Sequence, residues 1–173
     1  LYDANNRIRV NKGALTNGQI GMTASQGSEL GYDAAGNLTS ATSYESDGRH
    51  EYRYRYNGDN LLEGVKKDGL DLQTKVYDAS GQVTEENRYD TTGRLAQKTQ
   101  MTYDGSQVKS SSTWGAYGNE LSRTYYGYDA VGNLTSRYTV VYAQGQSPTY
   151  TQSHTYTHQL WDSYQQSTDS AVL

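Results

Sequence analysis

The sequence predicts an all-β protein, an antiparallel meander of repeated β-hairpins forming an open, curved, twisted sheet. Three observations point there. A short turn-forming stretch, clearest in Tyr32-Asp33-Ala34-Ala35-Gly36-Asn37-Leu38-Thr39, recurs along the 173 residues. Between its copies apolar and polar side chains alternate with a period of two, the mark of a half-buried strand. No stretch combines helical spacing with caps, and 18 glycines interrupt the chain too often for a long helix.

Each residue of the stretch has a duty in a turn. Asp33 suits the first position of a type I turn, where its carboxylate can accept from backbone amides two residues on. Gly36 suits the residue that needs positive φ to begin the return strand. A three-residue loop of this kind makes Asp33 and Asn37 cross-strand partners. Tyr32 and Leu38 become the next pair in, so an aromatic ring packs against a branched aliphatic just inside the turn.

Taken in order, the first copy is Tyr2-Asp3-Ala4-Asn5-Asn6-Arg7-Ile8, with Asn6 in the glycine slot; Asn is the next best residue for positive φ. Asn17-Gly18 is a degenerate two-residue turn, and Tyr44-Glu45-Ser46-Asp47-Gly48-Arg49-His50 is a degraded copy. Tyr56-Asn57-Gly58-Asp59-Asn60-Leu61-Leu62 again places Asn where glycine belongs. After the Asp68-Gly69 turn, Tyr77-Asp78-Ala79-Ser80-Gly81-Gln82-Val83 and Tyr89-Asp90-Thr91-Thr92-Gly93-Arg94-Leu95 keep every position of the pattern. Tyr103-Asp104-Gly105 and Tyr117-Gly118-Asn119 are expected to be two-residue turns. Tyr128-Asp129-Ala130-Val131-Gly132-Asn133-Leu134-Thr135 nearly duplicates the Tyr32 copy.

The strands follow from the intervals. The shortest spacing between motif aromatics, about twelve residues, leaves about eight for a strand roughly 26 Å long. From Arg49 to Tyr56, His50, Tyr52, Tyr54 and Tyr56 share one face and Arg49, Glu51, Arg53 and Arg55 the other. Leu134, Ser136, Tyr138, Val140 and Tyr142 form a similar face, as do Tyr150, His154, Tyr156, His158 and Leu160. The segment from Leu70 to Val76 alternates in the opposite phase, with Leu70, Leu72 and Val76 away from the Tyr77 face, so a bulge or register change is expected there.

These copies resemble the YD repeat, also called the RHS repeat: an aromatic-Asp pair, two free residues, Gly, a polar residue, then Leu or Val. The family includes bacterial RHS polymorphic toxins, shell subunits of insecticidal toxin complexes, and teneurins. The resemblance covers roughly Tyr2 to Tyr142, and repetition makes it specific. Its motif residues here are Tyr2, Asp3 and Asn6; Tyr32, Asp33, Gly36 and Leu38; Tyr56, Asn60 and Leu62; Tyr77, Asp78, Gly81 and Val83; Tyr89, Asp90, Gly93 and Leu95; and Tyr128, Asp129, Gly132 and Leu134. Residues 1–146 are therefore read as a hairpin array, and 147–173 as a further strand and tail.

Composition narrows the function. Aliphatic residues are few and Phe is absent, while 18 tyrosines supply apolar surface, each burying on the order of 150–250 Å² if enclosed; a thin, aromatic core is expected. A net charge of −4 with no long basic run argues against nucleic acid. Without cysteine there is no disulfide framework, and no stretch approaches the length of a membrane span. The chain opens with a motif already under way, so a fragment of a longer protein is expected.

Catalytic chemistry finds little footing. His154 and His158, four apart on a strand, are separated by roughly 13 Å, too far to share a metal. Asp33, Asp78, Asp90 and Asp129 each have a structural duty in the same slot. Glu85 and Glu86 alternate across a strand, and Asp68-Gly69-Leu70-Asp71 lacks the spacing of a calcium loop. Asn-Leu-Thr sequons at Asn37 and Asn133 follow from the repeat itself, the alternative being glycosylation. Trp114 and Trp161 read as packing residues rather than sugar platforms.

What the resemblance implies is a non-enzymatic wall segment of a hollow shell, secreted or at a bacterial cell surface. It would enclose a toxin or effector domain, with further repeats as partners and no cofactor. The family's self-cleaving Asp-Pro-x-Gly region has no counterpart, since the single proline, Pro148, follows Ser147. The alternative is an adhesion module holding carbohydrate or a cell-surface partner on its tyrosines. Unpaired sheet edges would favour self-association.

Overall fold

A computed structural model describes residues 1–11, 15–16, 19–20, 28–45, 47–142, 148–159 and 162–172. Among them there is no helix. The strands are β1 (Val10–Asn11), β2 (Leu15–Thr16), β3 (Gln19–Ile20), β4 (Ser28–Tyr32), β5 (Leu38–Glu45), β6 (Gly48–Tyr56), β7 (Leu62–Lys67) and β8 (Leu70–Tyr77). They continue with β9 (Val83–Tyr89), β10 (Leu95–Asp104), β11 (Gln107–Gly115), β12 (Glu120–Tyr128), β13 (Leu134–Tyr142), β14 (Pro148–Gln159) and β15 (Asp162–Val172).

Two compact units divide the chain, one of Leu1–Lys75 with Arg88–Gly93 and one of Val76–Asn87 with Arg94–Leu173. In the first, β1, β4, β5, β6, β7 and β8 lie side by side in that order; in the second, β10 to β15 do the same. The pairings are antiparallel and neither run closes on itself, so each is an open meander of hairpins. The hairpin β2–β3 is a separate two-stranded sheet. Asn17-Gly18, between its strands, lies outside the described residues.

Alternation along β6 matches its sequence. His50, Tyr52, Tyr54 and Tyr56 are half-buried, whereas Arg49, Arg53 and Arg55 are exposed. On β8 Leu70, Leu72 and Val76 are exposed, but Leu70 opposite Lys67 shares the face of Gln73 opposite Val65, so the expectation that all three lie away from the Tyr77 face is corrected. The register change sits alongside: Val65 pairs with Gln73 and Lys66 with Asp71, leaving Leu72 as an extra residue.

Two further expectations are corrected. The core is thin but not aromatic: the most buried described side chains are Thr42 and Ser112, 8% exposed, and Ala41 and Val65, 9% exposed. No large side chain is fully enclosed among the described residues. A tyrosine standing on a sheet with no facing layer keeps one side wet, whereas a small side chain between taller neighbours is covered. The second correction concerns β13, where Ser136 and Tyr138, expected on a covered face with Leu134, are exposed. Tyr128 pairs with Leu134 but Gly127 pairs with Ser136, so Thr135 is an extra residue and the bulge reverses the phase beyond it.

Half-burial sets the scale of a truncation. Tyr54→Ala is expected to cost about 1–2 kcal/mol, below the ~3–5 kcal/mol of a fully enclosed ring. Arg53→Ala, with a side chain 64% exposed, is expected to cost under about 1 kcal/mol. Urea unfolding of both variants checks the face, and equal losses would contradict it.

Candidate functional site

The feature repeated most faithfully is the turn. In the Tyr32 copy the Asp33 amide donates to the Asn37 carbonyl at 3.0 Å and the Gly36 amide to the Asp33 carbonyl at 3.2 Å. Gly36 has φ +95°, and Tyr32 pairs with Leu38. Asp33 Oδ1 accepts the Asn37 amide at 2.8 Å, and its other oxygen accepts the Asn37 side-chain amide at 3.0 Å. The carboxylate is the clamp of the loop.

Other copies repeat it. Asp3 Oδ1 accepts the amides of Asn5 and Arg7, Asn6 has φ +59°, and Tyr2 bridges to Ile8. Asn57 Oδ1 does the same for Asp59 and Leu61, with Asn60 at φ +60° and Tyr56 paired with Leu62. Asp78 clamps Ser80 and Gln82, with Gly81 at φ +80° between Tyr77 and Val83. Asp90 accepts the Thr92 amide, with Gly93 at φ +79° between Tyr89 and Leu95. Asp129 clamps Val131 and Asn133, with Gly132 at φ +94° and Tyr128 paired with Leu134.

Charge is tuned accordingly. Asp33 and Asp129 are held below the usual carboxylate range, first by the side-chain amides of Asn37 and Asn133. Asp3 is held down chiefly by the Arg7 amide. Because Asn37 and Asn133 Nδ2 both donate to these carboxylates, the sequon nitrogens already have a structural task.

Tyrosine hydroxyls join hairpins. Tyr32 donates to the Ile8 carbonyl at 3.0 Å, Tyr103 to Val83 at 2.7 Å and Tyr128 to Val108 at 3.1 Å. Each acceptor is the residue that opens or leads a return strand in a preceding hairpin. Turn-to-turn contacts add to this: Asn37 donates to Asn60 Oδ1 at 2.8 Å, Arg7 to the Asp33 carbonyl at 3.4 Å, and Gln82 to the Gly105 carbonyl at 2.9 Å.

Two minor turns differ from expectation. The Tyr117 turn keeps the backbone bonds of the longer copies, with Gly115 donating to Asn119 and Gly118, at φ +77°, donating to Gly115, but Gly115 at its head has no side chain to clamp it. Its motif aromatic is Trp114, paired with Glu120, and Tyr117 is 95% exposed at the tip. Spacing reveals it, because Gly118 stands four residues after Trp114. The Tyr44 copy instead has Glu45 paired with Gly48, leaving two residues between strands. Tyr103-Asp104-Gly105 and Asp68-Gly69 are two-residue connections, the latter with both residues at positive φ.

A second cluster lies at the β5–β6 and β7–β8 connections. Glu45, Asp47 and His50 bring ligand atoms within 4.8 Å of one another. All three are already engaged: Glu45 accepts from Tyr52 at 2.8 Å and Lys67 at 3.1 Å, and His50 contacts Asp47 and Asp68. A metal is therefore not assigned. His154 and His158 both fall on β14, and Trp161 lies outside the described residues. The Lys98 ammonium stands 4.9 Å from the centre of a Trp114 ring, which places that indole in packing.

The fold and these turns define a class, an all-β chain of side-chain-clamped hairpin repeats. No family model and no curated protein matches the chain. It is similar to a crystal structure of TcdB2-TccC3 and to one of TcdB2-TccC3 without its hypervariable C-terminal region. Identity is 16% in both, over 91% of this chain and 11% and 10% of those chains, with TM-scores of 0.42 and 0.41. The chain thus spans about a tenth of the length of the solved chains it matches.

Gly132→Val is expected to cost roughly 1–3 kcal/mol, because a β-branched residue at positive φ is strained and its Cβ would stand 3.1 Å from Gln107 Nε2. Ala130→Val should be tolerated, and equal melting shifts would contradict the turn geometry. The clamp carries a pH signature. Depressed carboxylates stabilise the fold above their unfolded value of 3.8, and that stabilisation is lost as pH falls through the lower folded value. Asp129→Asn, which keeps an acceptor oxygen as Asn57 does, should melt above Asp129→Ala at pH 7 and show less acid dependence than the parent.

Proposed function

We propose that the chain is a structural wall segment of a YD-repeat shell, one that contributes no catalytic step and surrounds a toxin or effector domain outside the cell that makes it. The observation that carries this reading is a repeated, self-clamped hairpin laid out in a single layer. Domains ordinarily close a core between two layers, yet within each unit the meander has only one, and the most buried side chains are small. A wall whose faces are completed by further repeats and by an enclosed domain accounts for both facts. Repetition of one turn also allows extension, since a further hairpin can be added beside the last by antiparallel pairing. On this reading residues 1–146 are the repeat array and 147–173 a further strand and tail, secreted or held at a bacterial surface.

Tyr125 and Tyr138 favour a second reading. They pair across β12 and β13 with ring centroids 6.3 Å apart, and both rings are more than 40% exposed. Beside them Thr102 and Ser110 share a hydroxyl hydrogen bond of 2.7 Å. Aromatic faces beside hydroxyls are suited to carbohydrate, as an adhesion module would require. No helix among the described residues is long and apolar enough to cross a membrane.

Limited proteolysis of the longer protein that carries these repeats tests the container. The enclosed domain should resist protease while the repeats are intact and become sensitive once hairpins are deleted. Equal digestion in both would remove the container reading, and glycan-array binding abolished by Tyr138→Ala would then support adhesion.

A further inference from the structure

We propose that His50 is a pH-sensitive clasp which, as an imidazolium, ties the β5–β6 connection to the β7–β8 turn and releases that tie on losing its proton. The geometry is one of counting donors. His50 Nε2 lies 2.9 Å from Asp47 Oδ1 and Nδ1 lies 2.6 Å from Asp68 Oδ2. Carboxylates only accept, and a neutral imidazole has a single N–H, so one ring nitrogen would turn its lone pair toward a carboxylate oxygen. Both contacts are satisfied together only when both nitrogens carry protons.

Asp68 makes the clasp structural. Its second oxygen accepts the Glu51 amide at 2.8 Å, and its own amide donates to the Glu51 carbonyl at 2.8 Å. Its φ of +52°, followed by Gly69 at +84°, fixes the tight turn that aims the carboxylate at β6. The His50 side chain is only 15% exposed.

The surroundings favour the cation. Glu45 faces it from β5, Asp47 from the connection, Tyr52 from β6, Lys67 from β7 and Asp68 from the turn. Asp71 of β8, with Tyr89 and Asp90 beyond it, lines the adjoining hollow of about 500 Å³. Lys67 is drawn off by Glu45 at 3.1 Å. In keeping with this, His50 is held above the ordinary 6.5, first by Asp68 and then by Asp47. A raised histidine stabilises fully below its unfolded value, and the contribution is lost as pH rises through the folded one. Asp47 and Asp68 are held down, first by their bonds to His50 and to the Glu51 amide respectively, so the lower limit is their protonation below about pH 4.

An NMR titration of the His50 ring in the whole chain tests this. The midpoint should lie above 6.5 and move down in both Asp47→Asn and Asp68→Asn. Hydrogen exchange gives an independent reading: as pH rises through that midpoint, the Glu51 amide should lose protection relative to the Asn37 amide, whose clamp is Asp33. Should His50→Gln fold poorly, the two Asp variants still decide. A midpoint at or below 6.5, one unmoved by both substitutions, or parallel exchange at Glu51 and Asn37 would overturn the clasp.

Discussion

A side-chain oxygen at the head of the turns at Asp3, Asp33, Asn57, Asp78 and Asp129, accepting backbone amides two and four residues on, is the constraint on which most of the fold depends. A sheet with a deep core sets its register by burying one face and wetting the other, since a slip of one residue exchanges them. Here that penalty is weak, because no large side chain is fully enclosed among the described residues. Register must therefore be set locally. Once Asp33 holds the Asn37 amide, Tyr32 has to meet Leu38, and Thr39 becomes the extra residue that lets Gly31 meet Ser40. The same sequence of consequences gives Tyr128 opposite Leu134 and Gly127 opposite Ser136. At Gly31 and Gly127 a Cβ would meet the hydroxyl of the facing Ser40 or Ser136, which would have to turn away, whereas in the Tyr56 copy the same position is Arg55 and the facing residue is Gly64.

Energetics agree with that division of labour. A tyrosine that buries only about half of its roughly 150–250 Å² gains correspondingly less from water exclusion than an enclosed ring, on the order of 2–3 kcal/mol before entropy is counted. Spread over many hairpins this maintains the layer, but it selects no partner. Direction comes from the hydroxyls: Tyr32, Tyr103 and Tyr128 each reach a backbone carbonyl at least 20 residues earlier. The ring supplies non-specific burial and its tip supplies the address, so one residue type serves both needs.

Much of this was legible from the residues. The clamped turns at Asp3, Asp33, Asn57, Asp78, Asp90 and Asp129 announce themselves, because their positive φ demands Gly or Asn four places after an aromatic. Trp114 escaped a reading tuned to tyrosine, although Gly118 keeps the interval. The phase of β13 escaped because a bulge inserts one residue without altering composition: Thr135 looks like any other strand threonine. His50 escaped for a different reason, its partner Asp68 being 18 residues away across a turn whose geometry is known only once β6 and β7 are paired. The functional expectation came only from the resemblance to YD repeats, since no constellation of reactive groups stands out in the sequence.

The placement of exposed apolar groups bears on what completes the sheet. In the first unit Leu70 and Leu72 of β8 are each more than 40% exposed and line the hollow beside His50 and Asp68; in the second, Tyr125 and Tyr138 form a pair at similar exposure. Scattered apolar side chains are ordinary on a protein surface, but neighbouring ones form a surface with a use or a liability. Aliphatic side chains offer no hydrogen bonds and little selectivity for sugars, whereas tyrosines offer both a face and a hydroxyl. Leu70 and Leu72 are therefore suited to an apolar contact, whereas Tyr125 and Tyr138 are suited to one that also hydrogen-bonds. The two units thus expose different chemistry on their strands, aliphatic side chains beside charged groups in the first and aromatic rings beside hydroxyls in the second.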